Sequence, residues 1–475
     1  MITLNEFSQV IPFLIITCAA LLTMIFEITF KKSEQPIYVL SIVSILAALV
    51  TSFSGLNKDL VIFNNYFHLT NVTIAFTVTI LVGVLITVIS AKGYLEKEGI
   101  NFGEFYSLLL FAVMGMYLMI WGNDILIIFI GLELMSICFY ILAGFLRKRP
   151  KSNESALKYF LLGAFMTGFI LYGISLMYGV TGTTNLTMLY SNPENFKSSI
   201  FVIGFGLYVI GFFFKMGVFP FHMWIPDVYD GAPTIVTGMM STAGKIAAVG
   251  TILPFILNTN LTDFRVVFSV FAVVTMLFGN VIALAQNNIK RLLAYSSIAS
   301  AGYIMVGIAA MNELATKGIA YYLVAYTFMQ LGAFLIVSII ERKSEDGKDY
   351  TKLDLDSYKG LAKRNPWLAV FMTLFLFSLA GIPPFAGFWG KYYLFYAALK
   401  SNLVWLSVIG ILLSLVSIYY YLKITVYMWF SESETEQEVQ HVGVLGMTGI
   451  SLAIVGTLVF GFFPNLFFNL FKFTT

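Results

Sequence analysis

The sequence predicts an all-α polytopic membrane protein of about 14 transmembrane helices, with two inverted five-helix repeats that each contain a broken helix. Three observations predict it. Of 475 residues, 59% are hydrophobic and 11% are charged. The charges gather in short clusters between apolar runs of roughly 20 residues, the length that crosses a hydrocarbon core of ~30 Å. Two of those runs are interrupted by similar Gly/Pro segments, five spans apart.

Taken in order, the chain begins "MITLNEFSQV", which lacks the basic stretch and small-residue cleavage site of a signal peptide. The apolar run after it is therefore expected to stay as the first span. The spans centre near residues 20, 47, 80, 112, 135, 168, 210, 246, 276, 302, 328, 376, 414 and 455. Backbone polar groups in lipid must be satisfied within the segment, so these runs are helices. An even number of spans puts both termini on one side. Connectors after odd-numbered spans carry 18 of the Lys and Arg residues, from Lys31 and Lys32 through Lys423, against 6 on the other side: Lys58, Lys197, Arg265, Lys317, Lys400 and Lys472. That bias predicts both termini outside, on the periplasmic face in a Gram-negative host. One membrane domain, 1–475, is expected: three N-terminal helices in 1–100, a first repeat in 101–258, a second in 259–430 and a C-terminal helix in 431–475. The sizeable polar insertion, "ERKSEDGKDYTKLDLDSYKGLAKRNP" at 341–366, reads as a cytoplasmic loop with an amphipathic segment.

The composition also excludes functions. A net charge of +3 is too small to point to nucleic acid. Cys18 and Cys138 lie in apolar runs and make neither a disulfide framework nor a metal site. Neither a cysteine cluster for iron–sulfur ligation nor a Gly-rich nucleotide loop is present, so redox chemistry is expected outside this chain.

The two interruptions are "KMGVFPFHMW" at 215–224, in the seventh span, and "LAGIPPFAGFWGKYY" at 379–393, in the twelfth. Each has a Gly-x-x-Pro-Phe core, Gly217 to Phe221 and Gly381 to Phe385, with a Trp close behind. Each carries one lysine, Lys215 just before the break and Lys391 just after it. Pro and Gly break the i to i−4 ladder, and an unwound turn at membrane depth is tolerated only where it faces protein or a wet cavity. An odd offset of five spans makes the two repeats inverted, the architecture that places ion sites at the midplane.

Charged residues inside spans are Glu133, Lys215, Lys245 and Lys391, with Lys158 near a helix start. An ionised group at the bilayer centre costs about 2.5–3.5 kcal/mol on insertion scales, so such residues face the bundle interior and are paired. Glu133 is expected to pair with Lys215. The functional reading is a proton relay: lysine gives up its proton readily once desolvated, and a neighbouring carboxylate restores its hold, so moving the carboxylate switches the lysine between loaded and empty. The alternative is a static ion pair that fixes helix packing. Lys158 sits close enough to the basic cluster to snorkel. His222 reads as a polar cap for the carbonyls freed at the first break, and Asp227 and Asp230 as caps of the turn into the eighth span.

"GLELMSICFYILAGF", "NESALKYFLLGAF", "FFFKMGVFPFHMWIPDVYDGAPT", "NNIKRLLAYSSIASAGY" and "LAGIPPFAGFWGKYYLF" together resemble the antiporter-like subunits of respiratory complex I, the proton-translocating NADH:quinone oxidoreductase. The likeness is collinear from about residue 100 to 430. The family is also similar to subunits of Mrp-type sodium/proton antiporters, which stand as the alternative function. Three features favour the N-subunit branch: the length without a long C-terminal lateral helix, Lys391 where the M branch has glutamate, and the wording "ALKYFLLGAF" and "DVYDGAPT". The resemblance implies a proton pathway through Glu133, Lys215, Lys245, which links two half-channels, and Lys391 on the exit side. It implies a translocase subunit in a bacterial inner membrane that holds no cofactor or metal of its own. NADH, FMN, iron–sulfur clusters and quinone belong to partner subunits: neighbouring membrane subunits and, indirectly, the peripheral redox arm. One departure is Ser300, which stands where many relatives have histidine; water held by Ser296, Ser297 and Ser300 is the expected substitute.

Overall fold

A computed structural model describes residues 4–30, 33–259, 262–343, 350–351, 353–432 and 443–473. Among them, thirteen helices are long and apolar enough to cross a membrane: Ile11–Thr29, Glu34–Gly55, Asn71–Glu98, Gly103–Trp121, Ile125–Ala143, Pro150–Thr181, Ser199–Met216, Thr234–Ile256, Arg265–Leu284, Ile289–Ala310, Glu313–Ile340, Val404–Phe430 and Val444–Phe462. The twelfth span in order is the shorter apolar helix Pro366–Ala380, which resumes past a break as Ala386–Lys400. With it, every expected centre lies in a helix, and Val404–Phe430 and Val444–Phe462 are the thirteenth and fourteenth spans.

Helix ends follow local chemistry. Asp124, Asn288, Asn312 and Asn365 accept hydrogen bonds from backbone N–H groups of the turn that each precedes, satisfying donors that a helix start leaves open. Contacts between connectors show the spans alternating in direction. At one end, Asn123 Nδ2 donates to the Asn65 carbonyl (3.1 Å) beside a hairpin of Leu60–Ile62 and Phe67–Leu69. At the other, the Lys- and Arg-rich end, the polar insertion folds back onto the bundle. Ile289 N donates to Leu353 O (2.8 Å), Leu355 N to Asn287 O (2.7 Å) and Gly360 N to Tyr427 O (3.0 Å), while Leu353, Leu355, Tyr358 and Leu361 are buried. The expected amphipathic segment is represented by these residues; 344–349 and 352 lie outside the described residues.

The eighth, tenth and eleventh spans are 94% buried along their most apolar windows and form the centre, whereas the first and sixth are 28% buried. A helix apolar all round belongs inside; one buried on a single face belongs at the lipid boundary. Glycine pairs clamp neighbouring helices. A methyl group at Gly115 of the fourth span would lie 2.6 Å from the Gly131 carbonyl oxygen of the fifth, and one at Gly173 of the sixth 2.5 Å from that of Gly204 in the seventh. The ninth and tenth spans meet likewise at Gly279 and Gly302. Such close approach is how membrane helices associate where there is no hydrophobic driving force between them.

Candidate functional site

The seventh span ends at Met216, and the twelfth span's first half at Ala380, in the same way. Gly217 (φ 82°) donates its N–H to Phe213 and Phe214 carbonyls at 2.9 and 3.1 Å; Gly381 (φ 84°) donates to Phe377 and Ser378 at 3.1 and 3.0 Å. A left-handed residue that turns back onto the last carbonyls is the usual glycine stop of a helix. The chain then unwinds before helix Trp224–Gly231 in one case and Ala386–Lys400 in the other. A cis prolyl bond lies in each gap, Phe219–Pro220 and Pro383–Pro384.

Lys215, in the last turn before the first break, is buried. Its Nζ donates to Ser136 Oγ (2.7 Å) and Tyr140 Oη (3.4 Å), both on the fifth span, and lies 5.5 Å from the Tyr140 ring centre. The expected direct ion pair with Glu133 is not formed. Glu133, half-buried, instead accepts from Thr167 Oγ1 of the sixth span at 2.7 Å. The offset is along the helix axis: Tyr140, seven residues on, shares the Glu133 side of the fifth span but lies two turns away, and Lys215 meets that helix at the level of Ser136 and Tyr140. Ser136, three residues on from Glu133, takes the ammonium in its place.

Lys245 follows one turn of π-helix, Met240–Gly244, a local widening that recurs at functional positions in helices. It is 2% exposed, and its Nζ donates to Ser297 O (2.6 Å) and Ser297 Oγ (2.7 Å) and lies 5.0 Å from the Tyr326 ring centre. Lys391 is buried just after the second break. Its Nζ donates to Ala380 O and Ser414 Oγ, both at 2.9 Å, and lies 4.9 Å from the Tyr303 ring centre. Between these two lysines runs a chain of neutral polar groups. Ser296 Oγ and Tyr421 Oη are hydrogen-bonded, the Tyr421 and Tyr420 rings touch at 4.5 Å, Tyr420 Oη donates to Asn280 Oδ1 (3.1 Å), and Asn280 Nδ2 to Tyr303 Oη (3.3 Å). Ser300 is buried in the same helix as Ser296 and Ser297. Sequence reasoning missed Tyr421, Tyr420 and Asn280, which read as ordinary span residues.

Lys158 is not brought into this line. It is partly exposed at the basic end, where it pairs with Glu154 and Asp227, both at 2.7 Å, and Asp227 also binds Arg291 at 2.9 Å. Asp227 is thus an ion-pair hub instead of the expected turn cap, and Asp230 accepts from Asn288 Nδ2 (2.9 Å). Nor does His222 cap the freed carbonyls: its ring stacks on Phe219, and the indole N–H of Trp224 reaches Phe214 O at 3.0 Å. A planar indole anchored by Tyr159, stacked on it at 4.4 Å, reaches back where the histidine ring points away.

Comparison with known proteins bears on this geometry. Residues 122–417 match the family model described as "NADH:quinone oxidoreductase/Mrp antiporter, TM". The chain is 41% identical over 471 residues to NADH-quinone oxidoreductase subunit N of Trichlorobacter lovleyi, covering 98% of this chain and 95% of that one. It is 40% identical over 470 residues to NADH-quinone oxidoreductase subunit N 1 of Chloroherpeton thalassium, covering 98% and 97%. Among solved structures, a chain of respiratory complex I from Thermus thermophilus superposes with a TM-score of 0.82 at 30% identity, covering 96% of this chain and 98% of that one.

Proposed function

The chain belongs to the NADH:quinone oxidoreductase/Mrp antiporter membrane family, and from that premise we propose that it is the antiporter-like subunit N of a NADH:quinone oxidoreductase that moves protons across a bacterial plasma membrane. Near-full-length likeness to proteins named subunit N favours this reading over an Mrp-type antiporter. Energy comes from electron transfer in partner subunits, which carry NADH, FMN, iron–sulfur clusters and quinone. The Lys- and Arg-rich end faces the cytoplasm, following the positive-inside bias, and both termini face outward. The two breaks belong to inverted repeats, 101–258 and 259–430.

The observation that carries the reading is that three lysines are buried at membrane depth, each with its ammonium held by neutral oxygens. Lysine suits such a place because, unlike arginine, it can stand desolvated as a neutral amine. Between Lys245 and Lys391 the hydroxyls of Ser297, Ser296, Tyr421, Tyr420 and Tyr303 can both accept and donate, and Asn280 positions two of them by accepting from Tyr420 and donating to Tyr303. On the other side, Glu133 acts on Lys215 across Ser136: a carboxylate one helical turn away biases the ammonium without locking it in an ion pair.

Replacing Lys215, Lys245 or Lys391 singly with Met tests this in vesicles, with proton pumping normalised to assembled complex. Each is expected to lower pumping by roughly 100-fold, the usual contribution of a positioned proton carrier, with assembly kept. Wild-type pumping by Lys391→Met would remove that lysine from the path. For the orientation, a cysteine at Lys359 is expected to react with membrane-impermeant reagent from the cytoplasmic side and one at Lys400 from the opposite side; labelling of both from one side would overturn the topology.

A further inference from the structure

At the basic end, several charged groups outside the path above are buried together where the eighth span begins. Glu341 follows the last residue of the eleventh span and has no exposed surface. Its Oε2 accepts from Thr234 Oγ1 (2.7 Å), at the first residue of the eighth span, and its own carbonyl accepts from Lys97 Nζ (2.8 Å). Lys290, also fully buried, donates to Ala232 O (2.8 Å). Arg149 pairs with Glu98 at 2.6 Å and lies 3.5 Å from the Tyr350 ring centre; the Tyr350 and Tyr94 hydroxyls are hydrogen-bonded, and Tyr94 accepts from Thr234 N (3.3 Å). Burial, only partly offset by Lys290, the Thr234 hydroxyl and Lys97, pushes the Glu341 carboxyl above the usual carboxylate range.

A column of unpartnered polar atoms climbs the eleventh span from this cluster. Glu341 Oε1, Gln330 Oε1 and Tyr326 Oη are buried and have no hydrogen-bond partner among the described residues. Spacings of 11 and 4 residues put all three on one face of the helix. From Glu341 to Tyr326 the helix rises about 22 Å. The column ends at Lys245, whose Nζ lies beside the Tyr326 ring. It faces the tenth span: Gln330 Nε2 donates to Leu293 O (3.3 Å), midway between Lys290 and the Ser297 that holds Lys245. Unsatisfied oxygens cost about 1–3 kcal/mol each when dry, and buried ones are normally satisfied by ordered water. A run of three on one face, between a buried carboxylic acid and a lysine, is therefore a place for a water file.

We infer that Glu341 is the group that takes up protons at the Lys- and Arg-rich end and that water bound along Gln330 and Tyr326 passes them to Lys245. The inference rests on the proton path proposed above. In the step itself, the Glu341 carboxylate accepts a proton from water at the basic end and becomes the neutral acid. It then donates that proton to the file, and the last water protonates the neutral Lys245 amine, leaving a carboxylate and an ammonium. Lys290, Lys97 and Arg149 hold compensating positive charge around the site, and Tyr94 and Tyr350 close it from the third span and the insertion.

The test compares Glu341→Gln, Glu341→Asp and Gln330→Leu with Lys245→Met in vesicles of the whole complex, reading NADH-driven proton pumping per assembled complex. Glu341→Gln is expected to lose roughly tenfold or more, Glu341→Asp to recover most of the loss, and Gln330→Leu, which keeps the bulk but removes the acceptor, to lose several-fold. Wild-type pumping by Glu341→Gln beside a failing Lys245→Met overturns this inference and leaves the path standing; wild-type pumping by both overturns the path. Equal losses in the Gln and Asp variants also overturn it, because a structural carboxylate loses by shape and a proton carrier by chemistry. Should Glu341→Gln fail to assemble, Gln330→Leu decides: normal pumping rejects the file, and reduced pumping with full assembly supports it.

Discussion

At Gly217 and at Gly381 the backbone makes the same glycine stop with hydrogen bonds of nearly the same length, yet the lysine beside each stop is held differently. Lys215 precedes its break and reaches away from it, to Ser136 and Tyr140 on another helix. Lys391 follows its break and reaches back into it, to the carbonyl of Ala380 at the end of the broken helix. In the first break an indole, Trp224, supplies a donor to the freed backbone at Phe214; the corresponding Trp389 turns outward to Gly461 O at 2.9 Å, at the end of the fourteenth span. Where another donor serves the opened backbone, the lysine is released to serve a neighbour. Where none does, the ammonium itself becomes part of the break.

A methyl added at the two stops sharpens this comparison and has the larger expected effect. The left-handed conformation costs Gly217→Ala and Gly381→Ala alike, about 1–2 kcal/mol. The new carbon at Gly381 would sit 3.0 Å from Lys391 Cδ and 3.2 Å from its Nζ, whereas at Gly217 the atom met is Ile225 Cδ1, at 2.2 Å. Pumping per assembled complex is therefore expected to fall several-fold in Gly381→Ala, while Gly217→Ala shows mainly a lower yield of assembled complex. Equal pumping in the two variants would break the distinction between a lysine inside its break and one outside it.

Removing the indole donors has the smaller effect. Trp224→Phe and Trp389→Phe each lose one hydrogen bond, worth about 0.5–1.5 kcal/mol, and keep most of the aromatic bulk. The Phe214 carbonyl still accepts from Gly217 after the first change. The second releases the fourteenth span, so it is expected to lower the temperature at which the complex loses that contact, read by protease sensitivity near Phe463. A larger pumping defect in Trp224→Phe than in Trp389→Phe would fit the capping role of the first indole; the reverse order would contradict it.

Much of this was legible in the sequence because the bilayer leaves few choices. Among the described residues thirteen of the expected spans are helices long and apolar enough to cross a membrane and the twelfth is the shorter apolar helix Pro366–Ala380, while the helices end at the Gly/Pro segments because Gly and Pro act through their own backbone. Lys215, Lys245 and Lys391 stood out as charges in apolar surroundings. Their partners stood out less: Ser297 was marked as a holder of water and not as a lysine partner, Ser136 and Ser414 are unremarkable within apolar runs, and only the packing level of the seventh span against the fifth decides that Ser136 and not Glu133 meets Lys215. Glu341 and Lys290 were hidden for a different reason. Both read as connector charges, and their burial depends on an insertion folding back through Leu353, Leu355 and Tyr358, a long-range event with no local signature.

The glycine seams have a mechanical consequence. Fourth with fifth, sixth with seventh and ninth with tenth, the helices touch backbone to backbone, so each pair resists internal slip and responds to a push as one stiff strut. The contacts that hold the ammonium groups of Lys215 and Lys245 fall between struts, whereas Asn280–Tyr303 lies within the ninth–tenth strut. Glu133–Thr167 and Lys215–Ser136 both join the fourth–fifth strut to the sixth–seventh, and Lys245–Ser297 joins the eighth span to the ninth–tenth. Hydrogen bonds fail over a few tenths of an ångström beyond contact distance, while side-chain packing between helices yields more gradually. A slide of about an ångström between struts is thus enough to uncouple one ammonium from its oxygen and leave each strut unaltered; on the proposed path, each such contact is a switch thrown by rigid parts.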